Sequence, residues 1–253
     1  MTRFFAPFPY WHFVPTPGEY KYRAALKVLK DAIDVSISEH EAAAAAGKTN
    51  EAEADILSFM LQEDASGAKP RREDIQRQLL TFLFAGHDTT ANMLCWMVYY
   101  LCRHPAYMAE AEAEVATVTN GSRLNTEHVK QLRFLGCVAK EALRLRPSAP
   151  ARGRIAVRDT TLCGQRIPRG TFVTWSAFVV HRDPKVWANP ERFDPHRFDT
   201  GAPKIHPFGF IPFGGGPRRC IGEQLACVGR GRVRCLGCLL TVEMVCQHVN
   251  QVR

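Results

Sequence analysis

Apolar residues Tyr22, Leu26, Leu29, Ile33 and Ile37 recur every three or four positions between residues 19 and 46. That spacing predicts an amphipathic helix, closed by Gly47. A short helix is expected over residues 55–62, then a turn at Ser66, Gly67 and Pro70. The longest patterned segment runs over residues 72–104 and stops at Pro105, about 50 Å if helical throughout. Its apolar stretch, residues 79–101, has the length of a membrane span but carries His87, Asp88, Thr89, Thr90 and Asn92 at its centre. An Asp there opposes insertion by about 2.5–3.5 kcal/mol, so the pattern predicts a central helix of a large soluble domain. Two more helices are expected over residues 106–118 and 126–145.

The period then changes. Residues 154–157, 160–167 and 171–176 read as short strands with turns at Gly164 and Gly170. Residues 183–217 hold seven prolines and little periodicity, which in a compact domain marks a functional connection. A helix resumes after Cys220, weakened by Gly229, Gly231 and Gly237. The predicted organisation is a single domain, mainly α with a small β-sheet (α+β). It comprises a loop (1–18), a helical part (19–145), short strands (146–180), a meander with a cysteine loop (181–219) and a helix (220–246).

The formal net charge of +8 suits an anionic partner: nucleic acid, a membrane surface or an acidic protein. No zinc-finger spacing and no RNA-binding aromatic signature accompany it, which sets nucleic acid last. Nine scattered cysteines and an opening MTRFFAPFPYWHF without an apolar signal core point to a reducing compartment with mostly free thiols. Cys235 and Cys238, near Cys246 and His248, have a zinc or redox spacing, but inside an apolar run that argues against it.

One cysteine stands apart. FGGGPRRCIG, residues 213–222, places Cys220 behind three glycines and beside Arg218 and Arg219, just ahead of the last helix. Helix N-terminal N–H groups and arginines favour a thiolate, which is the metal-binding form of cysteine. With no second ligand close by, such a residue suits a metal whose other positions a cofactor already fills. The alternative is a glycine-rich turn carrying a free thiol. Phe213, Gly216, Arg218, Cys220 and Gly222 match in full the haem-binding signature F-x-x-G-x-R-x-C-x-G, so the chain resembles the cytochrome P450 family. That family is also the standard example of thiolate-ligated haem.

The resemblance extends to two further motifs. Ala85-Gly86-His87-Asp88-Thr89-Thr90 is similar to the family's oxygen-side motif, an acid followed by Thr on a long helix. It implies that Thr89 holds dioxygen and water in a hydrogen-bond chain, that Asp88 relays protons, and that Ala85 and Gly86 lie beside the cofactor. Alone, the string also fits a kinked core helix. Glu141 and Arg144, one helical turn apart, resemble the family's Glu-x-x-Arg pair. Two meander arginines compete to be its third member, and counting from Trp187 through WANPERFDPHRF selects Arg197 over Arg192. By the same resemblance Arg154 and Arg218 contact the haem propionates.

The resemblance implies a cytochrome P450 fold of the eukaryotic microsomal type, represented by its C-terminal half and therefore truncated. It implies a monooxygenase with haem b, dioxygen and a small apolar, lipid-like substrate. Phe82, Phe84 and residues 149–151 would line the substrate side. Electrons would come from NAD(P)H through a reductase or other acidic donor, docking on Arg218, Arg219, Arg230 and Arg232 unless these form only a solvated face. The full-length family member is expected at the cytosolic face of the endoplasmic reticulum membrane, with no anchor in this chain. Two rivals remain: a haem-thiolate isomerase or dehydratase acting on peroxides, which needs no Asp88-Thr89 relay, and a non-catalytic fragment.

Overall fold

The computed structural model describes residues 17–47, 55–62, 67–122 and 125–223. The chain divides into two compact units, Met1–Ala85 and Gly86–Arg253.

In the first unit, helix α1 spans Pro17–Ala45, with Glu19 in the first turn where the dipole favours an acid. Gly47 ends it with φ +65°, a left-handed conformation suited to glycine. Only the C-terminal half of the predicted apolar stripe is enclosed. Ile37 is fully buried and packs with Leu57 and Ile75, whereas Tyr22 and Leu29 stay exposed. Helix α2, Ile56–Met60, is capped by Asp55, whose carboxylate accepts the Ser58 N–H at 2.8 Å. Helix α3, Arg72–Arg103, is continuous through Gly86 and is the longest element described. Arg72 pins its start to α1, donating to Glu41 at 2.8 Å and to the Asp34 carbonyl at 2.8 Å.

The second unit holds the main core. Met93, Met97 and Leu101 of α3 pack with Ala111 and Val115 of helix α4 (Pro105–Thr119), and with Val138, Leu143 and Leu145 of helix α6 (Arg133–Leu145). Pro105 does more than stop α3: it occupies the first turn of α4, where its missing N–H costs nothing. Asn120 closes α4 at φ 45°.

The single helix expected over residues 126–145 is two: α5, Thr126–Gln131, and α6, Arg133–Leu145, broken at Leu132. No neighbouring side chain caps α6. Its cap comes from α4, where Glu114 accepts the N–H groups of Phe134 at 2.7 Å and Leu135 at 3.0 Å. A carboxylate on two unpaired N–H groups lets a helix restart without a local Ser, Asp or Asn. Ten of the thirteen residues of α6 are buried, which makes it the most enclosed helix among those described.

Four short strands follow in two antiparallel pairs. Strand β1, Ala151–Ile155, begins three residues earlier than expected and pairs with β4, Phe172–Ser176, with Gly153 opposite Thr174. Strands β2, Thr160–Leu162, and β3, Gln165–Ile167, form a hairpin across Cys163 and Gly164, both at positive φ. A four-residue helix that the pattern did not predict, α7 (Ala177–Val180), is capped by the Ser176 hydroxyl. The proline-rich connection is ordered by turns, including 3-10 segments at Pro195–Phe198 and Gly216–Arg218. The helix expected after Cys220 lies largely outside the described residues. Among the described residues, no helix is long and apolar enough to cross a membrane.

Candidate functional site

Glu141 and Arg144 are both fully buried on α6 and joined by two hydrogen bonds, 2.7 Å from Nε and 2.8 Å from Nη2. Arg144 uses the rest of its guanidinium on the meander. Nη1 donates to the carbonyls of His181 (2.8 Å) and Pro190 (2.6 Å), and Nη2 to that of Arg192 (3.1 Å). All five N–H donors are thereby satisfied, the condition under which burial of a guanidinium is tolerable. The ring of Trp187 covers it at 5.0 Å. Glu141 also accepts the Asp194 N–H at 2.9 Å. Burial pushes its carboxyl up, against the Arg144 guanidinium and the Asp194 N–H, which favour the ion.

Both meander arginines take part, in different ways. Arg197 brings its side chain, with Nε 3.5 Å from Glu141 Oε1 and Nη2 donating to the Asn189 carbonyl at 2.9 Å. Arg192 contributes only its backbone carbonyl; its residue is exposed.

From here the chain leads to the cysteine loop. Trp187 donates from its indole to Gly209 at 3.2 Å. Ile211 donates its N–H to His181 Nε2 at 2.9 Å, and Gly214 donates to the Ile211 carbonyl at 3.0 Å. Cys220 hangs from the same segment, its N–H on the Phe213 carbonyl at 3.0 Å. Gly214, at φ +77°, lies so close to Arg152 that an added Cβ would sit 2.5 Å from the guanidinium. Gly216, at φ +68°, turns the chain into the Pro217-Arg218 corner. Phe213 packs against the main core, while Gly216, Arg218 and Cys220 are exposed and Gly222 is half-buried. Cys220 is a free thiol, as are Cys95, Cys137 and Cys163.

The remaining sequence candidates are less enclosed. Ala85, Gly86, Asp88 and Thr89 are exposed on α3. Asp88 Oδ1 lies 3.0 Å from His87 Nδ1, and the Thr89 carbonyl accepts the Ser148 hydroxyl at 2.9 Å. Arg154 donates to the Gly153 carbonyl at 2.8 Å and lies over the Trp175 ring. The arginine that reaches the cysteine loop is Arg152, two residues earlier, whose Nη2 donates to the Pro212 carbonyl at 3.0 Å. Arg219, expected on a basic docking face, is paired with Glu223, so its charge is offset. Arg230, Arg232 and the Cys235–Cys238 spacing lie outside the described residues.

The Cytochrome P450 family model matches residues 1–229. The chain belongs to the cytochrome P450 family. It is 38% identical over 174 residues to Cytochrome P450 4d2 of Drosophila melanogaster, covering 68% of this chain and 35% of that protein. It is 36% identical over 225 residues to Cytochrome P450 4F8 of Homo sapiens, and likewise to Leukotriene-B4 omega-hydroxylase 3 of Mus musculus. Each of those two matches covers 83% of this chain and 43% of the relative, so the chain spans less than half the length of these cytochromes P450.

The donor set fits the family's haem. Among the described residues no group of three or more His, Cys, Asp or Glu could hold a metal ion. The exposed thiol of Cys220, on a loop turned by Gly214 and Gly216, has the donor chemistry that a metal held by a macrocycle would need from the protein. Three residues went unnoticed in the sequence reading: His181, Arg152 and Glu114. Each acts across 20 or more positions, and no local spacing marks it.

Proposed function

We propose that this chain carries the haem-thiolate site of a monooxygenase acting on a lipid-like substrate. The observation that carries the reading is Cys220, an exposed thiol hydrogen-bonded through its own N–H to a segment tied to the buried Glu141–Arg144 pair. Cys220 would hold the haem through its thiolate, with Phe213, Gly216, Gly222 and Gly86 available to line it and Arg154 and Arg218 to pair with its propionates. When bound, haem supplies the activation of dioxygen, using electrons from NAD(P)H through a reductase. The protein's share is proton supply and substrate placement. The Asp88 carboxylate, paired with the exposed His87 ring at 3.0 Å, passes protons from solvent toward the Thr89 hydroxyl. By the resemblance, residues 149–151 would face the apolar part of the substrate. A relative named leukotriene-B4 omega-hydroxylase supports a lipid-like substrate, and the resemblance supports the cytosolic face of the endoplasmic reticulum for the full-length protein.

The test is haem reconstitution of the full chain, reduction and addition of carbon monoxide. A thiolate-type Soret band is expected, lost in Cys220→Ala and kept in Cys163→Ala. A band that survives Cys220→Ala overturns the assignment. With a reductase and NAD(P)H, oxygenated fatty-acid product is expected, reduced by roughly 10²- to 10⁴-fold in Asp88→Ala.

A further inference from the structure

His181 lies in none of the motifs above, yet it is fully buried and bonded at both ends. Its Nδ1 lies 3.1 Å from the Arg144 carbonyl and its Nε2 lies 2.9 Å from the Ile211 nitrogen. The Ile211 N–H can only donate, so Nε2 must accept. The proton therefore sits on Nδ1 and donates to Arg144, and the ring is neutral. A protonated ring would point an N–H at an N–H.

The segment that His181 holds is the one from which Cys220 hangs. Residues 211–214 are bonded on all sides: Ile211 to His181, Pro212 to Arg152, Phe213 to Cys220, and Gly214 back to Ile211. The far end of the imidazole sits on the last turn of α6, next to the guanidinium that Glu141 fixes. We infer that His181 is a positioning residue, a neutral two-ended bridge that carries the rigidity of the buried Glu141–Arg144 pair to the backbone leading into Cys220. Its consequence for haem ligation rests on the function proposed above; the bridge itself does not. Burial holds the imidazole down at about 4, so the accepting nitrogen persists at ordinary pH.

Amide hydrogen exchange on the full chain, without haem, tests the bridge. His181→Phe keeps an aromatic ring, a somewhat larger one, and removes both bonds. It should speed exchange at Ile211, Gly214 and Cys220 by about tenfold relative to α6 amides, the value of one ordinary hydrogen bond. His181→Gln places an acceptor near the Nε2 position and should restore protection at Ile211. His181→Asn reaches only the Nδ1 position and should not. If all three variants lose protection evenly across α6 and the loop, His181 is ordinary core and the inference fails. If His181→Phe does not fold, the Gln-against-Asn contrast decides, and equal protection in those two overturns it. Nitrogen-15 NMR should also show a proton on Nδ1 and none on Nε2 at pH 7; the opposite tautomer overturns it. In the haem-loaded chain, His181→Phe should shift the carbon-monoxide spectrum from thiolate-type toward thiol-type, and His181→Gln should shift it less. An unsubstituted chain with no thiolate-type band sinks the proposed function, while the exchange data still decide the bridge.

Discussion

Two regions of the second unit carry family motifs and are built in opposite ways. Around Arg144, every guanidinium N–H has an acceptor and both charged residues are sealed from water. Around Asp88 and Thr89, the side chains stand on an exposed stretch of helix, and Asp88 lies 3.0 Å from the ring of its neighbour His87. The first region therefore sets stability and geometry. The second is exposed to solvent, so its side chains are expected to contribute little to folding. A buried ion pair resists the loss of either partner because the survivor keeps its desolvation cost. An exposed pair loses little, since water replaces the partner.

The largest expected effect breaks the sealed side. Arg144→Ala strands a buried carboxylate and three backbone carbonyls and should destabilise the chain by about 3–5 kcal/mol, read as a lowered urea midpoint. A cost under about 1 kcal/mol would show that the two regions do not differ as described.

Acid is next. The His181 pKa is lowered from the ordinary 6.5 to about 4, first by burial. The charged groups facing the ring are Arg144 on α6 and the adjacent Arg182, which disfavour a second cation. The unfolded chain takes up the proton first, so this stability is complete above pH 6.5 and is lost as pH falls toward 4. A fall from 6.5 to about 4 sets an upper bound of ~3.5 kcal/mol on this contribution. Urea midpoints between pH 7 and 4.5 should fall for the unsubstituted chain, and less steeply for His181→Gln.

A smaller loss is expected at the remote cap. Glu114→Ala removes the acceptor of two α6 N–H groups and should cost about 1–2 kcal/mol in thermal or urea unfolding. The smallest effect belongs to the exposed side. Asp88→Ala should change stability by no more than about 0.5 kcal/mol, while product formation falls as proposed above. A large stability loss there would erase the contrast.

Legibility in the sequence follows the range of the interaction. The Glu141–Arg144 spacing, the stop of α3 before Pro105 and the turns at Gly164 and Gly170 depend on neighbours within four residues, and the pattern revealed them. The choice of Arg197 over Arg192 needed a count from Trp187. The geometry uses the side chain of one and the carbonyl of the other, and residue types alone cannot express that division. The break at Leu132 was missed because apolar periodicity continues across it, and its repair comes from Glu114, twenty positions away from Phe134.

The sequence by itself determined the family, the cysteine of its signature loop, and the long helices and glycine turns, because each is written in local spacing and local backbone preference. Only the tertiary structure decided which charges are sealed, that His181 is neutral and accepts from Ile211, and that Arg152 rather than Arg154 reaches the cysteine loop. Burial and long-range hydrogen bonding are properties of what the chain is folded against, and no residue carries that information in its own neighbourhood.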